Sequence, residues 1–372
     1  MSFDAWPLNT YFSSSYIEGR QKFLSACKRH DLQVASCSHP DEKGPNGEDL
    51  AIDYVWVGPA DAAKVLVITC GTHGLEAATG SATIVQWLAS DALSTLPDGL
   101  AVLIIHGVNP YGWAYDSRGN EHGIDLNRNC LDHNLPHPEN PDYDQLHKQI
   151  TEAKINPEGL AEFITFFRNY EKQYGTARAI SGITAGQYNH PSGIGYGGAQ
   201  LSWSVRSVYA IARECLTQAK KVIMLDWHTG IGEFGKPFFI MDDKMTSPEY
   251  ARAEQWWSPH AIHCDDILDG SNPDYSGLLI KGLKAEISKI NDAEITSVVT
   301  EWGTYKTEAM LQSLLMDWWL HHNRISANPV VVENVRTRLV ERFYPSVPEW
   351  QNAILEQAPE IYRKSIAGLA SW

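Results

Sequence analysis

The chain lacks most of the features that would take it out of the aqueous globular class. No window approaches the roughly 18 consecutive apolar residues that cross a bilayer. The opening residues Met1-Ser2-Phe3-Asp4-Ala5-Trp6-Pro7-Leu8 have neither the basic start nor the apolar core of a signal peptide. Positive charge is scarce beside negative: 30 Lys and Arg stand against 45 Asp and Glu, a formal net charge of −15. That balance argues against nucleic acid and anionic membranes as main partners. None of the six cysteines (Cys27, Cys37, Cys70, Cys130, Cys215, Cys264) belongs to a Cys-x-x-Cys pair. Reduced thiols in a cytoplasmic protein are therefore expected, rather than a disulfide framework or a cysteine-ligated zinc. There is no internal repeat and no low-complexity segment. The glycine-rich stretch 182–198, with Tyr196-Gly197-Gly198, has no strand-to-helix Gly-x-Gly-x-x-Gly and no adjoining Lys-Ser/Thr, so it reads as a loop near a site and not as a phosphate cradle.

What is present is a set of apolar, β-branched runs that each end in a polar turn. Lys64–Cys70 reads as a buried strand and runs into Gly71-Thr72-His73-Gly74-Leu75-Glu76, after which 75–88 has helical spacing. Further strands are expected at 51–58, 101–105, 221–230, 236–241 and 295–300, with 41–48 as a polar Gly/Pro loop. Helices are expected at 10–30, at 143–174 as two parted near 156–159, and at 201–218, 248–257, 275–290 and 307–322. The tail from 334 is helical by pattern. Strands alternating with helices imply an α/β fold with a mixed, mostly parallel central sheet covered by helices on both faces. The whole chain, 1–372, is read as one domain with a helical C-terminal extension from about residue 325.

Ligands of such folds gather at the carboxyl ends of the strands. There this chain presents His73 and Glu76, a polar loop from Asn109 to Asn129, Asp226 and His228 on one strand face, and Glu301. Imidazole nitrogen and carboxylate oxygen are both zinc donors, and a catalytic zinc keeps three protein ligands and one open position. Arg128 offers a planar fork suited to a carboxylate.

The order of these motifs resembles the zinc carboxypeptidases: His73-Gly74-Leu75-Glu76, Asn109-Pro110-Tyr111-Gly112, Asp125-Leu126-Asn127-Arg128-Asn129, Asp226-Trp227-His228 and Thr300-Glu301. More narrowly, together with Tyr196-Gly197-Gly198 and Glu301-Trp302-Gly303-Thr304, they resemble a bacterial family of predicted zinc carboxypeptidases long filed as a domain of unknown function. The resemblance covers roughly residues 50–310. It implies zinc held by His73, Glu76 and His228, with Asp125 bonded behind His73 and Asp226 as the matching carboxylate on the strand of His228. It implies Glu301 as general base and Arg118 as the oxyanion-stabilising arginine. Asn127 and Arg128 would clamp the substrate's terminal carboxylate, and Tyr275 is the candidate for a tyrosine that covers the site.

The expected function is that of a zinc metallohydrolase cleaving an amide bond next to a free carboxylate, foremost a carboxypeptidase of small peptides. The runner-up is an N-acyl amino acid deacylase, as in the related succinylglutamate desuccinylase and aspartoacylase branch, whose β-rich C-terminal domain the helical tail here does not match. A catalytically silent binding protein on the same scaffold is the third reading; retention of Glu301 argues against it, because a binder needs no base. A homo-oligomer is compatible with the sequence.

Overall fold

A computed structural model describes residues 10–263 and 275–372. The opening segment read above for a signal peptide and Cys264 lie outside the described residues. The strands are β1 Val34–Lys43, β2 Asp49–Val57, β3 Lys64–Cys70, β4 Leu100–His106, β5 Lys221–Gly230, β6 Pro237–Met241, β7 Ala261–His263 and β8 Glu294–Gly303. The helices are α1 Tyr16–Arg29, α2 Ala77–Ala89, α3 Pro110–Ala114, α4 Leu126–Asn129, α5 Pro141–Thr151, α6 Pro157–Tyr174, α7 Thr176–Thr184, α8 Trp203–Cys215, α9 Pro248–Trp257, α10 Leu279–Ser288, α11 Thr307–Asn323, α12 Pro329–Phe343 and α13 Pro348–Ser371.

Among the described residues eight strands join one sheet in the order β1-β2-β4-β3-β5-β8-β6-β7. Its centre, β4-β3-β5-β8, is parallel throughout. The flanking pairs β1–β2, β2–β4 and β6–β8 are antiparallel, so the sheet is mixed as the sequence pattern implies. Alternate residues of each central strand enter different cores. Leu66, Ile68, Ile223, Leu225 and Val298 pack under α1, α2, α9 and α13, while Val65, Val67, Val222, Met224 and Val299 pack under α8 and α10. A third apolar cluster joins α5, α6, α7, α11 and α12. Burial on both faces is why these strands read as continuous apolar runs. The C-terminal helix belongs to the first core, where Trp350, Ile354, Leu355, Ala358, Ile361, Tyr362 and Leu369 are buried.

The structure departs from the sequence reading at the sheet edge. Residues 41–43, read as loop, complete β1, whose ladder with β2 breaks register between Ser38 and Lys43. The strand contains Pro40 and several charges because it lies on an edge and carries only partial burial, so no period-2 apolar signal marks it. Among the described residues no helix is long and apolar enough to cross a membrane. Cys27, Cys37, Cys70, Cys130 and Cys215 are free thiols.

Candidate active site

The parallel strands all finish on the same side, and their ends set the site. His228 and Glu301 are register partners on β5 and β8, so their side chains project from the same sheet face. β3 ends at Cys70, and Gly71, at φ +79°, turns the chain toward His73 and a single 3-10 turn, Gly74–Glu76. That turn packs on the Asn109-Pro110-Tyr111-Gly112 segment so closely that a Cβ on Gly74 would lie 2.1 Å from the Gly112 carbonyl carbon. Asn109 fixes this segment by accepting from Gly112 N at 2.8 Å and donating to Arg118 O at 3.3 Å.

His73, Glu76 and His228 are each buried, and their donor atoms converge within 4.8 Å of one another, the one such group of three among the described residues. His73 Nδ1 lies 3.0 Å from Glu76 Oε1, His228 Nδ1 lies 3.1 Å from Glu76 Oε2, and the two Nδ1 atoms are 3.1 Å apart. The remaining nitrogens are committed outward. His73 Nε2 donates to Asp125 Oδ1 at 3.1 Å and His228 Nε2 to Asp226 Oδ2 at 2.7 Å. With Nε2 committed outward on both rings, the two Nδ1 atoms face each other across the Glu76 carboxylate, and a proton on His228 Nδ1 shared with Glu76 holds the cluster together. A cation in the centre would take that proton's place. The spacing suits a small tetrahedral ion, since ligand bonds of about 2.1 Å give a tetrahedron edge of roughly 3.4 Å.

Electrostatics agree with the geometry. Burial pushes the His228 pKa down, but the Asp226 and Glu76 carboxylates outweigh it and hold the ring well above its usual range. Burial acts to raise the Glu76 carboxyl and His73 and His228 reverse that, leaving it below its ordinary value. Glu301 goes the other way: burial, then the charge of Glu76, push it up to about 8. Its Oε1 accepts from Ile231 N at 3.2 Å.

The polar loop arrives from the other side. Arg118 donates through Nη1 to Glu76 Oε1 at 3.3 Å and through Nε to Asp125 Oδ2 at 3.2 Å, which places its guanidinium against the donor cluster. Asp125 also caps α4 by accepting from Asn127 N at 2.9 Å. Asn127 Oδ1 accepts from Leu279 N at 2.8 Å. Arg128 gives its Nε and Nη2 to Thr184 O, at 3.0 and 2.6 Å, and Nη1 to Asn127 O. Of its five donors, one on each Nη is left, so the end-on edge of the fork is the one open to a ligand. The guanidinium lies 4.6 Å over the Tyr275 ring.

All of the candidate residues except Asp226, which lies one layer behind, line a single cleft of about 600 Å³. Ile180, Ile183, Ile194, Leu311 and Phe238 supply apolar wall. The sequence reading missed Thr69 and Thr72, whose hydroxyls donate to Asp226 at 2.7 and 2.9 Å, and Thr184, whose carbonyl holds Arg128. It also missed Asp317, which accepts from Arg118 N at 2.9 Å. Single threonines and a helical aspartate carry no spacing signal by which to be found.

Comparison with known proteins gives similarity of fold at low identity. Carboxypeptidase A from Helicoverpa armigera aligns with 88% of this chain and 73% of its own at 14% identity and a TM-score of 0.44. Bovine thrombin-activatable fibrinolysis inhibitor, in complex with tick carboxypeptidase inhibitor, aligns over 95% and 99% at 10% identity and a TM-score of 0.39. A succinylglutamate desuccinylase from Silicibacter sp. TM1040 aligns over 78% and 66% at 12% identity and a TM-score of 0.39. With TM-scores below 0.5, these likenesses carry no argument about activity. No curated protein matches the sequence. One family model does, described as a protein of unknown function and spanning residues 12–357, and the chain therefore belongs to the DUF2817 family.

Proposed function

We propose that this protein is a zinc-dependent hydrolase that cleaves an amide bond adjacent to a free carboxylate, acting as a carboxypeptidase on small peptides. The observation that carries the reading is the convergence of His73 Nδ1, Glu76 and His228 Nδ1, with both outer imidazole nitrogens bonded to carboxylates and Glu301 in register beside them.

Zinc in that cluster would supply a Lewis acid that polarises the scissile carbonyl, acidifies water and offsets the negative charge of Glu76 beside Glu301. The chain's own groups do the rest. Arg128, through its open edge, and Asn127, through Nδ2, bind the substrate carboxylate and set the scissile carbonyl toward the cluster. Glu301, as carboxylate, takes a proton from water while the water oxygen bonds to the carbonyl carbon. Arg118 donates to the oxygen on which negative charge develops. Glu301 then passes the proton to the amide nitrogen, the C–N bond breaks, and an amine and a carboxylic acid leave.

The test is metal analysis of the purified chain combined with a hydrolysis screen of peptides, their C-terminally amidated forms and N-acyl amino acids. One zinc per chain, its loss in His228→Ala, and cleavage of free-acid peptides only are the expected results. Preference for N-acyl amino acids over peptides would reassign the substrate to the deacylase class. Absence of stoichiometric metal, or no hydrolysis by the zinc-loaded chain, would overturn the reading.

A further inference from the structure

Beside Arg118, sharing Asp125, Ile194 and Leu314 with the cleft, lies a small cavity of about 40 Å³ lined in part by Ser117, Arg118, Asp317 and His321. Asp317 is carried by α11, the helix that follows β8 and therefore the first element after Glu301. Its Oδ1 accepts from Arg118 N at 2.9 Å, and the Ser117 hydroxyl is a further donor to the same carboxylate. The two residues so held are the ones whose carbonyls brace the ligand-bearing turn. Leu75 N donates to Ser117 O at 3.0 Å and Gly74 N to Arg118 O at 3.4 Å.

From this arrangement we infer that Asp317 is a positioning residue: by fixing the Ser117–Arg118 backbone it aims the Arg118 guanidinium at the metal cluster and steadies the turn that carries His73 and Glu76. One carboxylate on α11 serves both tasks because the dipeptide faces two ways. Its side chain reaches Glu76 and Asp125, while its carbonyls meet the turn's N–H groups. Asp317 touches neither substrate nor metal ligand, so its effect must travel through this dipeptide. The inference rests on the proposed role of Arg118 for its kinetic half and on the proposed zinc cluster for its metal half.

The experiment is a double-substitution cycle of Asp317→Ala and Arg118→Ala, with Asp317→Asn as the conservative control and zinc affinity measured by chelator competition beside kcat and KM. Asp317→Ala is expected to lower kcat at least tenfold with KM changed less than threefold, and to weaken zinc binding at least fivefold. With zinc saturating, the same substitution in the Arg118→Ala background should cost less than twofold in kcat, since the metal site is refilled and there is no guanidinium left to aim. Asp317→Asn keeps an acceptor oxygen for Arg118 N and should recover most of both losses. A purely structural aspartate would lower the melting temperature and cost the same factor of kcat with or without Arg118, and that additive outcome overturns the inference. If the native zinc form hydrolyses nothing, the proposed function fails on its own, and Asp317 is judged by zinc affinity: equal affinity in native and Asp317→Ala chains overturns it.

Discussion

The site is assembled from two unlike regions. One rests on the sheet: Asp226 and His228 lie on one face of β5, Glu301 is paired with His228 on β8, and His73 follows β3 by three residues. On the opposite sheet face Trp227 and Trp302 stack with ring centroids 5.9 Å apart, locking the register that sets His228 beside Glu301. The other region is carried by a loop and short helices, where Arg118, Asp125, Asn127, Arg128 and Tyr275 are each placed by a few individual contacts. A parallel ladder buried on both faces is fixed by its hydrogen bonds and its packing, whereas loop positions tolerate variation. Under the proposed function the difference would give metal binding and proton transfer mainly to the sheet and its first turn, and oxyanion and substrate contacts to the loops.

The largest effect should come from the sheet region. Glu301→Gln keeps shape but cannot take a proton, so turnover should fall on the order of 10²–10⁴-fold. Zinc content and melting temperature should stay near native, because the variant leaves all three ligands and the β5–β8 ladder in place. Native-like turnover with zinc bound would mean that the base sits elsewhere and that the comparison is drawn wrongly.

The two imidazole–carboxylate pairs sharpen the contrast. Asp226 is fully buried and accepts from His228, Thr69 and Thr72, all within the sheet and its first turn. Asp125 accepts from His73 but is shared with Arg118 and the α4 cap. Asp226→Asn should therefore weaken zinc binding by roughly 10- to 100-fold, the usual scale for such outer partners. Asp125→Asn should keep more of the zinc and lose turnover instead, since it frees Arg118 and α4. Chelator competition on the two variants decides, and the reverse order would show that the loop, not the sheet, holds the metal.

The same division explains what could be read from sequence. The bounds of β3 and β5, and the delivery of His228 and Glu301 to strand ends, followed from apolar runs terminated by glycine and polar residues. The Asp226–His228 contact needed only period-2 alternation. The convergence of His73 with His228, 155 residues apart, needed the sheet order, which local patterns do not contain. β1 escaped because a half-exposed edge strand has no apolar rhythm. α7, which follows α6 after the single residue Gly175, is unassigned in the sequence reading at 176–181 and counted with the glycine-rich stretch at 182–184, because its helical spacing is only nine residues long. Asp317 and Thr184 act through backbone groups and have no residue-type signature at all.

A third measurement probes the sheet without touching the site. His106, at the end of β4, is buried, stacks on Phe23 at 4.2 Å and bonds Ser81 Oγ at 2.8 Å. Burial pushes its pKa from the ordinary 6.5 down to about 4. Between those values the unfolded chain binds a proton that the folded one does not, so stability falls as pH drops through 6.5 and levels below about 4. The expected loss is about 1.5 kcal/mol between pH 6.5 and pH 5. Denaturant unfolding of native and His106→Gln chains at both pH values should show that increment in the native chain alone. An equal slope in both would mean that this part of the sheet admits a charged ring.

The smallest effect belongs to the loop region, at Arg128. Its Nε and one Nη already hold Thr184 O, so the residue has two jobs, anchoring the end of α7 and offering its remaining edge to a carboxylate. Arg128→Lys keeps one charge and loses the fork, which should cost about 1–2 kcal/mol in kcat/KM, or roughly 5- to 30-fold. That number alone does not separate the jobs, because a displaced α7 would also slow the reaction. The substrate's end group does. If Arg128 reads the carboxylate, the native chain strongly prefers a free acid over its amide, and the lysine variant loses that preference while its rate on the amide hardly changes. Should the variant lose the same factor on acid and amide alike, Arg128 serves only to fix α7, and recognition of the carboxylate passes to Asn127, whose Nδ2 donates to no other group among the described residues.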